Sequence, residues 1–166
     1  MLATLSIRDI ILIDRLDLEF APGMSAFTGE TGAGKSILLD AFALALGARG
    51  DAGLVRNGAP FGQVTAQFDL PSTHPALAML AESGVDASEE FILRRVQTPD
   101  GRAKAFINET PVSVLSLRRA GALLVEIHGQ HEDRAFVDTA AHRRLLDAYG
   151  GLTGDVARVE ALWRRW

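Results

Sequence analysis

Apolar and polar positions change period several times along the chain, and each change marks an element. Leu2 to Ile7 partly alternates, and Leu16, Leu18 and Phe20 alternate with Asp17 and Glu19, as half-buried strands do. Ala21-Pro22-Gly23 is turn chemistry. Met24 to Thr28 is a short apolar run, read as a strand, that enters a glycine-rich loop from Gly29 to Gly34. From Lys35 the period becomes helical: Ile37, Leu38, Ala41, Phe42, Ala45 and Leu46 recur on one face, and Gly47 is a stop signal. Arg49 to Pro60 reads as loop.

The second half repeats the pattern in different order. Val64, Ala66, Phe68 and Leu70 alternate with polar residues, predicting a strand. A short helix is expected over Pro75 to Ser83, ended by Gly84. Phe91 to Asn108 predicts a hairpin about Thr98-Pro99-Asp100-Gly101, where Pro presets φ and Gly accepts a positive one. Leu115 to Leu123 reads as helix, and Leu123 to Ile127 as a buried strand running into His128-Gly129-Gln130-His131-Glu132. Asp138 or Thr139 caps a helix to Tyr149, with Gly150-Gly151 as terminator. Beyond it, Leu152, Val156, Val159, Trp163 and Trp166 are spaced 4, 3, 4, 3, the start of a coiled-coil seam about two heptads long.

Composition narrows the function classes. The chain has 166 residues, 48% hydrophobic and 23% charged, enough for a core of its own. It contains no cysteine, which excludes disulfide scaffolds, Cys-ligated zinc and thiol nucleophiles. The net charge of −4 argues against a strongly basic nucleic-acid binder but leaves room for a local patch. Fifteen arginines stand against two lysines, Lys35 and Lys104. The arginine doublets Arg94-Arg95, Arg118-Arg119 and Arg143-Arg144 read as solvated faces. With no basic-then-apolar leader and no apolar run near 20 residues, a soluble, cytoplasmic protein is expected.

One motif carries chemistry. Gly29-Glu30-Thr31-Gly32-Ala33-Gly34-Lys35-Ser36 matches G-x-x-x-x-G-K-[ST] at every fixed position. Its glycines let successive backbone N–H groups turn inward to cradle phosphate, and the helix that follows adds the partial positive charge of its N-terminus. Lys35 supplies a full charge for the β- and γ-phosphates and Ser36 a hydroxyl for Mg²⁺, so a nucleoside triphosphate with Mg²⁺ is the expected ligand. A dinucleotide G-x-G-x-x-G fails, because Ile37 stands where its third glycine belongs. The reaction stays open. Glu126 sits inside its apolar run rather than at the tip, a poor place for the second Mg²⁺-holding acid. Gln130 could serve a metal or water, or be an ordinary loop residue. His128 and His131, three apart with Glu132 alongside, lack a third clustered histidine and sit at a strand-to-loop junction, so a structural or phosphate-sensing role is favoured over metal ligation. His74 and His142 read as surface or capping residues. An ATPase, a complete small P-loop kinase and a module holding nucleotide only as a structural ligand all remain compatible with these residues.

A wider set of residues narrows that choice. Leu5-Ser6-Ile7-Arg8-Asp9, Thr28 to Ser36 running into Ile37-Leu38-Leu39-Asp40-Ala41, Leu46-Gly47-Ala48-Arg49, Phe106-Ile107-Asn108 and Ile127 to Glu132 together resemble the RecN family of bacterial DNA-repair proteins, SMC-like members of the ABC-type ATPases. The resemblance runs from Met1 to about Gly150. It departs at Asn108-Glu109-Thr110-Pro111-Val112, where the family commonly has Asn-Gly before Pro-Val.

The resemblance implies an α/β fold: a P-loop core with an antiparallel β subdomain and the start of a coiled-coil helix. Residues 1–150 would be the N-terminal half of an ATPase head and 151–166 the root of the coiled coil. Gln130 would be the Q-loop glutamine that contacts Mg²⁺ and the attacking water, and Arg8 and Asp9 neighbours of the adenine or ribose. The second acid and the signature motif, for which no Leu-Ser-Gly-Gly-like stretch exists here, would lie in the C-terminal half. The whole protein would pair two heads as a homodimer around ATP, and couple their engagement to holding DNA ends in double-strand-break repair, with no membrane role. A transporter-type ABC subunit would instead continue past Gly151 into a helical lobe.

Overall fold

In the computed structural model the described residues are 1–29, 34–82, 90–127 and 139–165. They fall into two units, Met1–Glu126 and Ile127–Trp166. The first is built on a six-stranded sheet formed by β1 (Leu2–Ile10), β2 (Ile13–Glu19), β3 (Gly62–Asp69), β4 (Glu90–Gln97), β5 (Ala103–Ile107) and β6 (Thr110–Val112). Their spatial order is β2-β1-β3-β4-β5-β6, and every neighbouring pair is antiparallel.

Register explains which side chains meet. Leu18, Leu5, Ala66, Leu93 and Ile107 form one cross-strand row, and Leu16, Ile7, Val64, Arg95, Ala105 and Val112 the next. These rows belong to the inner face, where Leu5, Ile7, Val64, Ala66, Leu93 and Ile107 are buried. The alternate residues form an outer face of rows such as Asp17, Ser6, Thr65, Arg94 and Phe106. A period-2 sequence gives the two faces opposite character.

Helix α1 (Lys35–Ala45) covers the inner face with Ala41, Leu44 and Ala45. Helices α2 (Pro75–Glu82) and α3 (Val114–Leu124) pack against each other, and α3 also lies against β5. His74, expected at the surface or as a cap, accepts a hydrogen bond through Nδ1 from Ala76 N at 3.2 Å at the start of α2. Ser113 caps α3 by accepting from Ser116 N at 3.0 Å. Two glycines bring α1 and α3 together: a Cβ on Gly121 would lie 2.5 Å from Leu46 O, and one on Gly47 2.6 Å from the Arg118 backbone.

Two of the sheet's tight turns follow their residues. At the β4–β5 turn Gly101 takes φ +82, and Thr98 N donates to Arg102 O at 2.9 Å. Between β5 and β6, Asn108 and Glu109 form a two-residue turn with φ +45 and +63, the geometry that favours Asn-Gly. Glu109 occupies that second place, and its carboxylate pairs with Arg94 at 2.5 Å.

In the second unit, α4 (Thr139–Tyr149) leads to α5 (Thr153–Arg165). Gly151 at φ +67 ends α4 with Leu152 N donating to Asp147 O at 2.8 Å and Gly151 N to Ala148 O at 3.1 Å, a Schellman closure. Along α5, Val159 is 64% and Trp163 75% exposed. No helix among the described residues is long and apolar enough to cross a membrane.

Three expectations are corrected. Met24 to Thr28 is not a strand: it makes no ladder, Met24 is fully exposed and Phe27 is 51% exposed. Leu123 to Ile127 is not a buried strand either, since α3 continues to Leu124, Glu126 is exposed and 125–127 have no regular structure. Both runs have strand composition but no neighbouring strand among the described residues, and a strand exists only by pairing. The Arg94-Arg95 doublet is not a solvated face, because alternation sends Arg95 inward to 3% exposure while Arg94 faces out. Burial holds the pKa of the Arg95 guanidinium below its ordinary value, and its Nε and Nη1 have no hydrogen-bond partner among the described residues.

Two stability outcomes follow from this packing. Replacing an uncompensated buried cation by an apolar side chain of similar reach relieves desolvation. Arg95→Met is therefore expected to be neutral or stabilising by about 1–4 kcal/mol in urea unfolding, and a clear loss would mean that the guanidinium is paired. Gly121→Ala forces a methyl onto the Leu46 backbone and should cost about 1–3 kcal/mol by the same measurement; an unchanged midpoint would show that α1 and α3 are not in close contact.

Candidate functional site

The site begins where α1 begins. Gly34 is its N-cap with φ +92, a left-handed conformation that glycine adopts without strain, and no side chain caps the helix there. Leu38 N already donates to Gly34 O at 3.0 Å, closing the first turn. The first-turn N–H groups are thus not met by a capping side chain, and no acidic residue lies in that turn to offset their field. This is an electropositive helix start aimed into the loop.

Lys35 and Ser36 occupy the first turn. The Lys35 ammonium donates to the carbonyl of Gly29, which ties the two ends of the loop together. Ser36 is exposed. Beside them, Ile13, Leu16, Phe27, Thr28 and Leu38 join Gly34 and Lys35 around an open hollow of about 250 Å³. Its apolar walls come from β2, the segment before the loop and α1, so a planar apolar group has a surface to rest on. Sequence reasoning did not assign Ile13, Leu16 or Leu38 to the site. The alternation of β2 marked Leu16 as one-sided, yet nothing local showed which element that side would meet.

Of the residues read as phosphate- or metal-binding, Gly29, Gly34, Lys35 and Ser36 are brought together here. Glu30, Thr31, Gly32 and Ala33 lie outside the described residues, as do Gln130 and the neighbouring His128, His131 and Glu132. Arg8 and Asp9 are engaged elsewhere. Arg8 pairs with Asp17 at 3.2 Å, and Asp9, at φ +49, faces Arg56 at 4.0 Å while Arg56 pairs with Asp14 at 2.9 Å. Asp17 also accepts from Ser6 Oγ at 2.6 Å; that bond, then one from Arg15, holds its carboxyl below the usual range.

Glycine at a left-handed N-cap followed by Lys and Ser in the first turn of a helix is the arrangement of the P-loop ATPase class. Within it, the fold is that of SMC-type, ABC-class heads. An SMC head domain with an extended coiled coil from Pyrococcus furiosus, solved bound to the C-terminal domain of ScpA, superposes with TM-score 0.70 at 20% identity, covering 98% of this chain and 45% of that one. A chain solved in work on ATP-driven dimerization and DNA-stimulated activation of SMC ATPases superposes with TM-score 0.64 at 21% identity, covering 93% and 98%. The chain belongs to the AAA domain family, which matches residues 4–114. It is similar to the DNA repair protein RecN of Bacillus subtilis, 41% identical over 152 residues, and to that of Vibrio cholerae, 40% identical over 166 residues. These matches cover 91% and 100% of this chain but 26% and 30% of the relatives, so the chain spans less than a third of their length.

Gly34 gives the test of the helix start. A Cβ there meets nothing within 4 Å, so Gly34→Ala adds backbone strain without a clash. It should cost about 1–2 kcal/mol, seen as a fall of several degrees in Tm with helical content unchanged. An unaltered Tm would mean that the chain does not enter α1 through a left-handed residue.

Proposed function

We propose that this chain is the nucleotide-binding N-terminal half of an SMC-like ATPase head that acts in DNA double-strand-break repair. The observation that carries the reading is the helix start described above: first-turn amides met by no capping side chain, no acid in the first turn of α1, and Lys35 reaching across to Gly29. A triphosphate laid in this loop would receive backbone N–H donors and exchange the Gly29 carbonyl for its own oxygens at Lys35. The hollow formed by Ile13, Leu16 and Phe27 would take the adenine face. The Ser36 hydroxyl fits a hard cation, so Ser36 would hold Mg²⁺, which supplies charge neutralisation across the β- and γ-phosphates. Gln130 is proposed as a second contact to that ion and to the attacking water, and Glu30, Thr31, Gly32 and Ala33 as the remainder of the cradle.

The exposed apolar run before the loop supports the half-head reading. Met24 and Phe27 are a costly pair to leave in water, and pairing of this segment with strands from the C-terminal half would bury them. In the same reading residues 1–150 are the half-head, 151–166 root the coiled coil through the exposed face of α5, and two heads close as a homodimer on ATP. DNA is the partner of the whole protein, as the similarity to RecN proteins suggests.

Lys35→Ala should weaken ATP binding at least about tenfold by calorimetry, since hydrogen bonds to charged groups contribute about 1.5–3 kcal/mol. Steady-state hydrolysis should be absent from this chain alone and appear when the C-terminal half is added. Turnover by the lone chain, or ATP affinity indifferent to Lys35, would overturn the reading.

A further inference from the structure

The outer face of the sheet holds a second concavity, on the opposite side from α1. It is an open groove of about 470 Å³ between Phe61, just ahead of β3, and the β4–β5 hairpin. Register assembles its floor: Gln63, Val96 and Lys104 form one cross-strand row, and Thr65, Arg94 and Phe106 the next. The Arg94 guanidinium lies 4.0 Å from the Phe106 ring centroid, a cation–π stack that sets a flat, positively charged plate in the groove. Phe61, 43% exposed, forms part of the wall.

Charge in the groove runs against the chain as a whole. Arg94, Arg102 and Lys104 line it with one acid, Asp100, in a protein of net charge −4. Asp100 is spoken for by Arg102 at 3.2 Å and by the Thr98 hydroxyl, and Arg94 by Glu109 at the rim. Lys104, one of the two lysines of the chain, is exposed at the edge of the floor. Aromatic surface interleaved with cations on an open β-sheet rewards a ligand with flat π-faces and spaced negative charges. Bases stacked inside a duplex cannot present those faces, and an acidic peptide has no use for the rings.

We infer that this groove binds single-stranded nucleic acid, a base stacking on Phe61 and the Arg94–Phe106 plate while Lys104 takes an adjacent phosphate. The inference deepens the DNA reading above, resting on it only for the identity of the polymer, and it uses none of the residues assigned to ATP.

The test is fluorescence anisotropy of a labelled oligothymidine against the chain at two salt concentrations, with a duplex of the same length and poly-glutamate as competitors. Phe61→Ala should weaken oligothymidine binding about tenfold at both salts, as loss of one stacked base does. Lys104→Ala should weaken it mainly at low salt and lower the slope of log K against log salt by about 0.7. The duplex should compete poorly. Both substitutions fall on exposed or half-exposed side chains, and Tm of each variant checks the fold. ATP affinity in the same two variants should match the parent, so failure at the groove is read separately from failure at Lys35. No binding of oligothymidine, binding unmoved by both substitutions, or displacement by duplex or poly-glutamate as readily as by unlabelled oligothymidine would each overturn the inference.

Discussion

The close approach of α1 and α3 governs the rest of the first unit. Gly121 leaves room for the Leu46 carbonyl, and Gly47 for the Arg118 backbone, at distances no side chain would allow. This contact pins the C-terminal end of α1, while Ala41, Leu44 and Ala45 seat its length on the sheet. A helix held at one end and along one face has a fixed axis, and the direction of its first N–H groups is fixed with it. Phosphate binding needs that direction to be set before the ligand arrives, because donors that must reorganise give up part of their electrostatic advantage. The packing that positions the loop lies at the far end of α1 from the loop itself.

The sheet then separates two chemistries by alternation alone. Neighbouring residues of one strand, Arg94 and Arg95, have opposite fates: one stacks on Phe106 in the open groove and the other is enclosed on the inner face. Gln97, two residues on from Arg95, shares its face and is also buried, with neither amide atom paired. Polar burial of this kind opposes stability. The apolar rows around it, from Leu5 and Ile7 to Leu93 and Ile107, outweigh it in area, so the face remains a core despite the two polar side chains.

What could be read from the chain was what depends on near neighbours. The helix start at Gly34 was legible because it is marked by a spacing: glycines, then Lys35 and Ser36 ahead of an amphipathic run. The β4–β5 hairpin was legible because Pro99 and Gly101 specify a turn whatever surrounds them, and Gly150-Gly151 closed α4 for the same reason. Met24 to Thr28 and Leu123 to Ile127 misled because an apolar run shows a preference for extended backbone and burial but not whether a partner strand is at hand. The groove was invisible because Phe61 and Phe106 are brought together only by the register of β3, β4 and β5, and register is a property of pairs of strands. Glu109 shows the converse. It departs from the family's Asn-Gly at a place where positive φ favours glycine, and the structure supplies a compensating ion pair with Arg94 on the neighbouring strand.

The surfaces left apolar complete the argument from physics to assembly. A monomeric domain seldom leaves a large side chain such as Met24 wholly in water, and the exposed Val159, Leu162 and Trp163 of α5 recur at the spacing of a helix face. Each set has the periodicity of the element that would cover it: an extended run suits a pairing strand, and a heptad-like stripe suits a second helix. Apolar surfaces of different period suit different kinds of covering element. The nucleotide loop sits directly after the first of these surfaces. Covering Met24 to Thr28 would therefore bury the apolar run and brace the chain where it enters Gly29 in the same step.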